Sequence, residues 1–449
     1  MIRVTINPQK LSSLLGNKSV LLGVLLFVAT CAMLRPSIHG NDGVQNYAPL
    51  RSLLVDGDLD YANDYAHYFH LNPDWFDNLP VASDPTTQHP TNLYGIGSAI
   101  LWAPWIATVH GTALALNASG FTNIRTDGYG LPYQWGLAIA SCFYASVGLL
   151  LLFRFLTRLS SPDAAFWSVL AIWLASPLIF YMVLHPSMSH ANSFFLAVVM
   201  MVIYAGGDSI RRWAALGAVA GLLVLTRYQD AVLLTVFIPL ELKRVLEGGR
   251  GALTQRLLRI ATAGVACLLV FSPQFAVWNY LHGTPFSGPR EYLRQGSFHA
   301  FPPLHAWDVL FSSRHGLFYW HPLLLTGFVG LLIPKIHIKW RIFALTGFFA
   351  QVWIIGSWSH WWAGASFGHR MFISSLPLLA VGMALLMQTY PKFRRWMPAL
   401  VIVFLLWNFG LIVQYGAGLI KRDQPVSWAE MARHNFISIP GMIVEILKR

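Results

Sequence analysis

Charge is what this 449-residue chain has least of. Only 11% of its residues are Asp, Glu, Lys or Arg, against 55% hydrophobic, whereas a soluble globular chain carries about a quarter charged residues. That shortage excludes an ordinary water-soluble domain and points to a polytopic membrane protein. Cysteine is scarce as well. Cys31, Cys142 and Cys267 all lie in apolar runs, which leaves no disulfide framework and no cysteine-based metal cluster. The chain has no Walker A loop, no G-x-G-x-x-G opening a helix after a strand and no H-E-x-x-H, so no soluble nucleotide-binding domain is expected. It has no internal repeat, which counts against a transporter built from repeated halves. The first apolar stretch is not followed by an A-x-A cleavage site and reads as a retained first spanning helix. The formal net charge of +12 would suggest nucleic acid in a soluble protein; here it reports loop placement, and no nucleic-acid partner is expected.

What the chain does have is long apolar runs. A span needs roughly 20 such residues, and eleven candidates lie near 20–34, 134–155, 164–184, 191–206, 214–226, 231–242, 257–280, 315–333, 342–358, 371–388 and 397–419. A twelfth run, 93–116, is studded with Gly, Pro and Trp. If it lies along the outer surface as an interfacial helix, every strongly basic connector falls on one side of the membrane. These connectors carry Arg3, Lys10 and Lys18; Arg154 and Arg158; Arg211 and Arg212; Lys243 to Arg259; Lys335, Lys339 and Arg341; and Lys392, Arg394 and Arg395. The expectation is therefore a single all-α domain over residues 1–449 with about eleven transmembrane helices. Its long outer first loop, 39–132, carries interfacial helices, and the tail 420–449 is short and outside.

The outer side then collects the polar residues that do not suit a simple bundle. Residues 39–90 hold eight aspartates, among them Asp42, Asp74, Asp77 and Asp84, against one base, Arg51. Most suit a solvated loop. Asp42 differs because it follows a membrane helix closely, and an ionisable group at membrane depth is a functional suspect. Arg227 in "RYQD", Arg314 in "SSRHGLF" and Arg370 in "SFGHR" break the inward bias of positive charge. Three forked guanidinium groups converging at one rim make an anion site suited to phosphate. His185, His190, His315 and His369 also face outward, without diagnostic metal spacing, so a divalent metal ion is the one cofactor left open. Trp358, Trp361 and Trp362 suit an aromatic belt better than sugar stacking. "NAS" at 117–119 has the form of a glycosylation acceptor.

With these segments in view, the chain resembles the GT-C superfamily of polytopic membrane glycosyltransferases, nearest the bacterial protein mannosyltransferase and aminoarabinose transferase branch. The likeness rests on the layout and on "NDGVQNYAPLRSLLVDGDLDY", "HPTNLYG", "RYQD", "SSRHGLFYWHPLLL" and "WWAGASFGHRMFISSLP". Gly43 stands where that family often has a second acid, and His89 where it often has Lys. The resemblance implies a bacterial inner-membrane protein that uses a polyprenyl-phosphate sugar donor on the outer face and a glycan, lipid or protein acceptor. Asp42 would take the proton of the attacking hydroxyl, and Arg227, Arg314 and Arg370 would hold the departing lipid phosphate. Asp84, His89, Tyr94, Asp230, His315 and His369 are further candidates to line the substrate. The rival reading is a transporter or flippase of an anionic lipid, with the same arginines along its path.

Overall fold

The computed structural model describes residues 8–70, 83–288, 298–333 and 336–447; Arg3, Asp74, Asp77 and Lys335 lie outside them. The described chain is helical, and its only β contacts are two isolated bridges, Ser83 with Pro90 and Phe298 with Trp358. Six helical stretches are long and apolar enough to cross a membrane: Gly97–Ala118, Leu131–Leu156, Leu253–Phe271, Ile338–Gly356, Arg370–Thr389 and Pro391–Gly416. Together they make this a multi-pass α-helical membrane protein.

The elements that position the site are α1 (Pro8–Met33), α2 (Gly40–Arg51), α3 (Ala62–His70), α4 (Gly97–Ala118), α5 (Leu131–Leu156), α6 (Pro162–Leu174), α7 (His190–Ala205), α8 (Ile210–Thr226) and α9 (Ile238–Phe271). They are followed by α10 (Pro273–His282), α11 (Leu324–Leu332), α12 (Ile338–Gly356), α13 (Leu376–Thr389), α14 (Pro391–Gly416), α15 (Trp428–Arg433) and α16 (Ile439–Leu447). At the centre is α13, almost wholly buried. Its Gly382 meets the backbone of Gly327 in α11 so closely that no Cβ would fit; small residues allow this backbone approach between membrane helices. Gly217 and Gly221 of α8 do the same against Ala263 and Cys267 of α9.

The helical run α9 is bent. Glu241 and Arg256 meet at 3.4 Å, although fifteen residues of straight helix would set them about 22 Å apart. Three glycines, Gly248, Gly249 and Gly251, weaken the helix between them. The fold-back gathers the basic connectors into one layer. Arg259 pairs with Asp208 at 2.8 Å, Arg244 with Glu241 at 2.7 Å, and Arg256 with both acids. Lys339 lies 4.6 Å over the Tyr204 ring. Trp340 packs against both Phe155 and Tyr204, which ties this layer to the end of α5. Lys18, within α1, pairs with Asp163 at the start of α6, and Arg394 at the start of α14 donates to Ser161. Each of α7, α8 and α13 has one end in or beside this basic layer. Their other ends, at His190, Thr226 and Leu376, point to the opposite side, where the polar suspects lie.

A second buried cluster holds α2 in place. Arg51 is only 5% exposed and Asp64 not at all. Arg51 pairs with Asp56, stands 3.7 Å from Asp64 and donates to the Asp127 carbonyl at 2.9 Å. Its guanidinium lies 4.2 Å over the Tyr129 ring, and Gly128, with φ +85°, leaves room for its stem. Asp42 thus sits on a helix whose far end is anchored to the segment leading into α5. α4 runs antiparallel to the first half of α5, with Trp102 donating to Ser141 at 2.8 Å and Tyr144 to the Leu101 carbonyl at 2.9 Å. Asn117 of the "NAS" triplet is used internally: its amide bonds both the N–H and the carbonyl of Ile124 and closes the turn between these helices.

Burial pushes the Asp64 carboxyl up to about 7, against the opposing pull of Arg51. An acid whose folded pKa exceeds its unfolded value costs stability as pH rises between the two. The Asp64→Asn variant has no such titration. Its thermal midpoint relative to wild type is expected to improve steadily from about pH 4 to about pH 7 and then level off. A difference that is flat across this range would show that Arg51 fully compensates the charge.

Candidate functional site

The site grows from the turn "HPSMSH", residues 185–190, between the apolar stretch after α6 and the start of α7. Its side chains meet three other parts of the fold: α2, Arg370 and Arg227. His185 faces His39 at the entrance to α2, with their Nε2 atoms 3.2 Å apart. Ser187 packs on Gly43 of α2 so closely that a Cβ there would overlap Oγ and stand 3.1 Å from Cβ. The Met188 sulfur lies 3.3 Å from Nη1 of Arg370. Ser189 and His190 accept from Nη1 of Arg227 at 3.3 and 3.4 Å. The contact between Gly43 and Ser187 gives a physical reason why no second acid follows Asp42: a side chain at 43 must displace the Ser187 hydroxyl and press on its Cβ.

Asp42 and Arg370 form an ion pair of 2.8 Å, with side chains only 15% and 17% exposed. Asp42 lies in the first turn of α2, where an acid also suits the helix dipole. Arg370 begins the 3-10 turn Arg370–Ser375 that feeds α13. The pair therefore joins the loop after α1 to the most buried helix of the described bundle.

Arg227 is the extended residue, at φ −151°, between α8 and the 3-10 run Tyr228–Phe237. The "RYQD" segment is thus a break within the packed bundle. Nη2 of Arg227 bonds Gln229 Oε1 at 3.0 Å, and Gln229 Nε2 donates to the Met371 carbonyl at 2.9 Å, which brings Arg227 beside the residue following Arg370. Among the described residues, Arg227 has no carboxylate within ion-pair distance. Asp230 lies behind it, fully buried, accepting from Ser374 at 2.7 Å and Gln351 at 2.9 Å, with its N–H on the Arg227 carbonyl. A cavity of about 190 Å³ opens at Arg227. Its wall is otherwise mainly apolar and aromatic, and includes Tyr94, Tyr228, Phe298, Ile354, Trp358 and Met371.

Most of the remaining residues expected at the site are engaged by partners of their own. Arg314 pairs with Asp423 at 2.8 Å and stacks on Trp362 at 3.8 Å; Trp362 also donates to Asp423. His315 is buried with Nδ1 on the Trp362 carbonyl at 2.8 Å. Asp84 staples its own loop to α10, accepting from Thr86 and facing His282 at 3.0 Å. His89 stacks on Tyr280 at 4.4 Å and lies 4.0 Å from Asp60. Of this group only Tyr94 reaches the cavity. His369, next to Arg370, is fully buried with no hydrogen-bond partner for either ring nitrogen among the described residues. Among those residues no group of three or more His, Cys, Asp or Glu is arranged to hold a metal ion. Burial first, then His39 and the cations Arg422, Arg370 and Arg35, hold His185 well below its ordinary pKa. Arg422 and Arg35 thus belong to the positive surroundings of the site. Sequence reasoning passed over both: Arg35 stands alone after the first apolar run, and Arg422 lies in the tail beside Lys421 and Asp423.

No protein-family model matches the chain, and no curated protein matches it in sequence. The site must therefore be read from its own geometry.

The Gly43 contact is directly testable. Gly43→Ala is expected to destabilise the protein by about 1–3 kcal/mol, as overpacking of a filled interior does. Ser187→Gly in the same chain is expected to recover most of that loss. Thermal unfolding of the two single variants and the double variant measures the coupling, and independent, additive effects would contradict the packing described.

Proposed function

We propose that this protein is a glycosyltransferase that moves a sugar from a polyprenyl-phosphate donor to an acceptor hydroxyl at the outer face of a bacterial inner membrane. The observation that carries the reading is the cavity at Arg227: an apolar space with a guanidinium that has no carboxylate within ion-pair distance among the described residues, and with Met371, next to Arg370 in the chain, in its wall. A prenyl phosphate has the matching form, an apolar chain ending in an anion. In a low-dielectric wall, an unneutralised arginine is costly unless an anion meets it.

The chemistry follows from those groups. The acceptor oxygen attacks the anomeric carbon and its proton passes to Asp42. The bond from that carbon to the phosphate oxygen breaks, and the electron pair leaves with the lipid phosphate. That group departs as an anion and needs positive charge, not a proton, which Arg227 and Arg370 are positioned to supply. One displacement inverts the anomeric centre. Arg314, already engaged by Asp423, is not required for this step.

The topology in this reading is GT-C-like with about eleven spans and the basic layer inside. Gly97, at the start of α4, is pressed against Thr226 and Leu225 at the far end of α8. In this reading α4 starts there and runs outward along α5, and Gly97–Ala118 is itself long and apolar enough to span. The polar groups gather at one end of the bundle, which favours transfer over transport, since transporter sites lie near the midplane.

Envelope lipid analysis of cells lacking the protein, complemented with wild type or Asp42→Asn, tests the reading. Wild type is expected to restore the sugar modification. Asp42→Asn is expected to lower transfer at least about a hundredfold and to leave polyprenyl-phosphate sugar on the outer face. Accumulation of that lipid on the inner face would support a flippase and overturn the proposal.

A further inference from the structure

The ion pair between Asp42 and Arg370 sets a condition on any reaction at this site. A carboxylate held by a guanidinium at 2.8 Å has its oxygen committed, and a guanidinium so held cannot offer the same N–H to a phosphate. The two arginines of the site differ in this respect. At Arg227 an arriving anion meets Ser189, His190 and Gln229, none of them an acid. At Arg370 it meets the Asp42 carboxylate.

The geometry links the two positions. Gln229 accepts from Arg227 and donates to the Met371 carbonyl, and Met371 lines the cavity while following Arg370 in the chain. Met188, under Arg370, precedes Ser189, which holds Arg227. Arg370 does not itself line the cavity, but it is joined to Arg227 on both sides, through Gln229 and Met371 and through the turn at Met188 and Ser189. Carboxylate and phosphate oxygens seek the same forked donors, with bonds of similar length.

We propose that Asp42 is a stand-in anion: without ligand it occupies the place at Arg370 that a phosphate oxygen of a prenyl phosphate takes on binding, and the incoming ligand itself releases the carboxylate. This rests on the reading of the cavity as a prenyl-phosphate site and adds an order to it. The lipid phosphate binds first, and only then is Asp42 free to receive the acceptor's proton. The exchange protects the site from idle chemistry, because the base is uncovered only when the donor is present. It also makes Asp42 a competitor of the ligand's phosphate, and a competitor's removal must tighten binding.

Titration calorimetry of the purified full chain in detergent, with farnesyl phosphate as the probe, tests this. Asp42→Asn is expected to bind farnesyl phosphate about fivefold or more tightly than wild type, and Asp42→Glu to return towards wild-type affinity. Arg370→Ala is expected to bind more weakly, and adding Asp42→Asn to it is expected to bring no gain. A gain that persists without Arg370 would mean general charge repulsion and would overturn the exchange. Equal or weaker binding by Asp42→Asn would overturn it as well, while leaving the cavity as a phosphate site. Failure of both wild type and Asp42→Asn to bind farnesyl phosphate would overturn the prenyl-phosphate reading itself. Thermal unfolding checks that each variant is folded, and Asp42→Ser replaces Asp42→Asn if that variant is not.

Discussion

An ion pair of 2.8 Å between two mostly buried side chains, Asp42 and Arg370, joins the long loop after α1 to the centre of the bundle. Taking either charge out of water is expensive unless the other is there. The position of α2 and the turn into α13 therefore depend on each other. The turn 185–190 fills the space around the pair, with Gly43 against Ser187 and Met188 under the guanidinium. Arg51 and its acids hold the far end of α2, so the carboxylate sits on a helix fixed at both ends.

Two of the protein's charged groups contrast with each other. One holds Asp208, Glu241, Arg244, Arg256 and Arg259 in a network where each acid meets more than one base. The other holds Asp42, Arg370 and Arg227 beside histidines. The first is a compensated structural layer. The second leaves Arg227 facing an apolar cavity, and this imbalance is what distinguishes a binding site from an anchoring network. Asp230, buried behind Arg227, is held by Ser374 and Gln351 and supports the break between α8 and α9 from within.

Much of this was legible in the residues. The scarcity of charge and the length of the apolar runs establish a helical membrane protein, because backbone polar groups in lipid must be satisfied within helices. Asp42, Arg227 and Arg370 stood out for a similar reason: an ionised group is costly near hydrocarbon, so its presence at a helix end needs an explanation. Those arguments use only residue type and distance along the chain. They do not say which partner each charge finds.

Partner choice came from the tertiary structure. Arg314 carries the same signal as Arg370, yet it pairs with Asp423, more than a hundred residues further on, while Arg370 pairs with Asp42 from the opposite end of the chain. Asp84 and His89 look like site residues in sequence and instead tie loops to α10. The cavity draws on segments near 94, 227, 298, 355 and 371, and nothing in the chain order says that they meet. The sequence by itself determined that the chain is a helical membrane protein and that a few charges need partners, because hydrophobicity and charge are properties of single residues and short runs. Only the folded chain decided which charge meets which and where the apolar space remains, because ion pairs and cavities are set by the packing of helices distant in sequence.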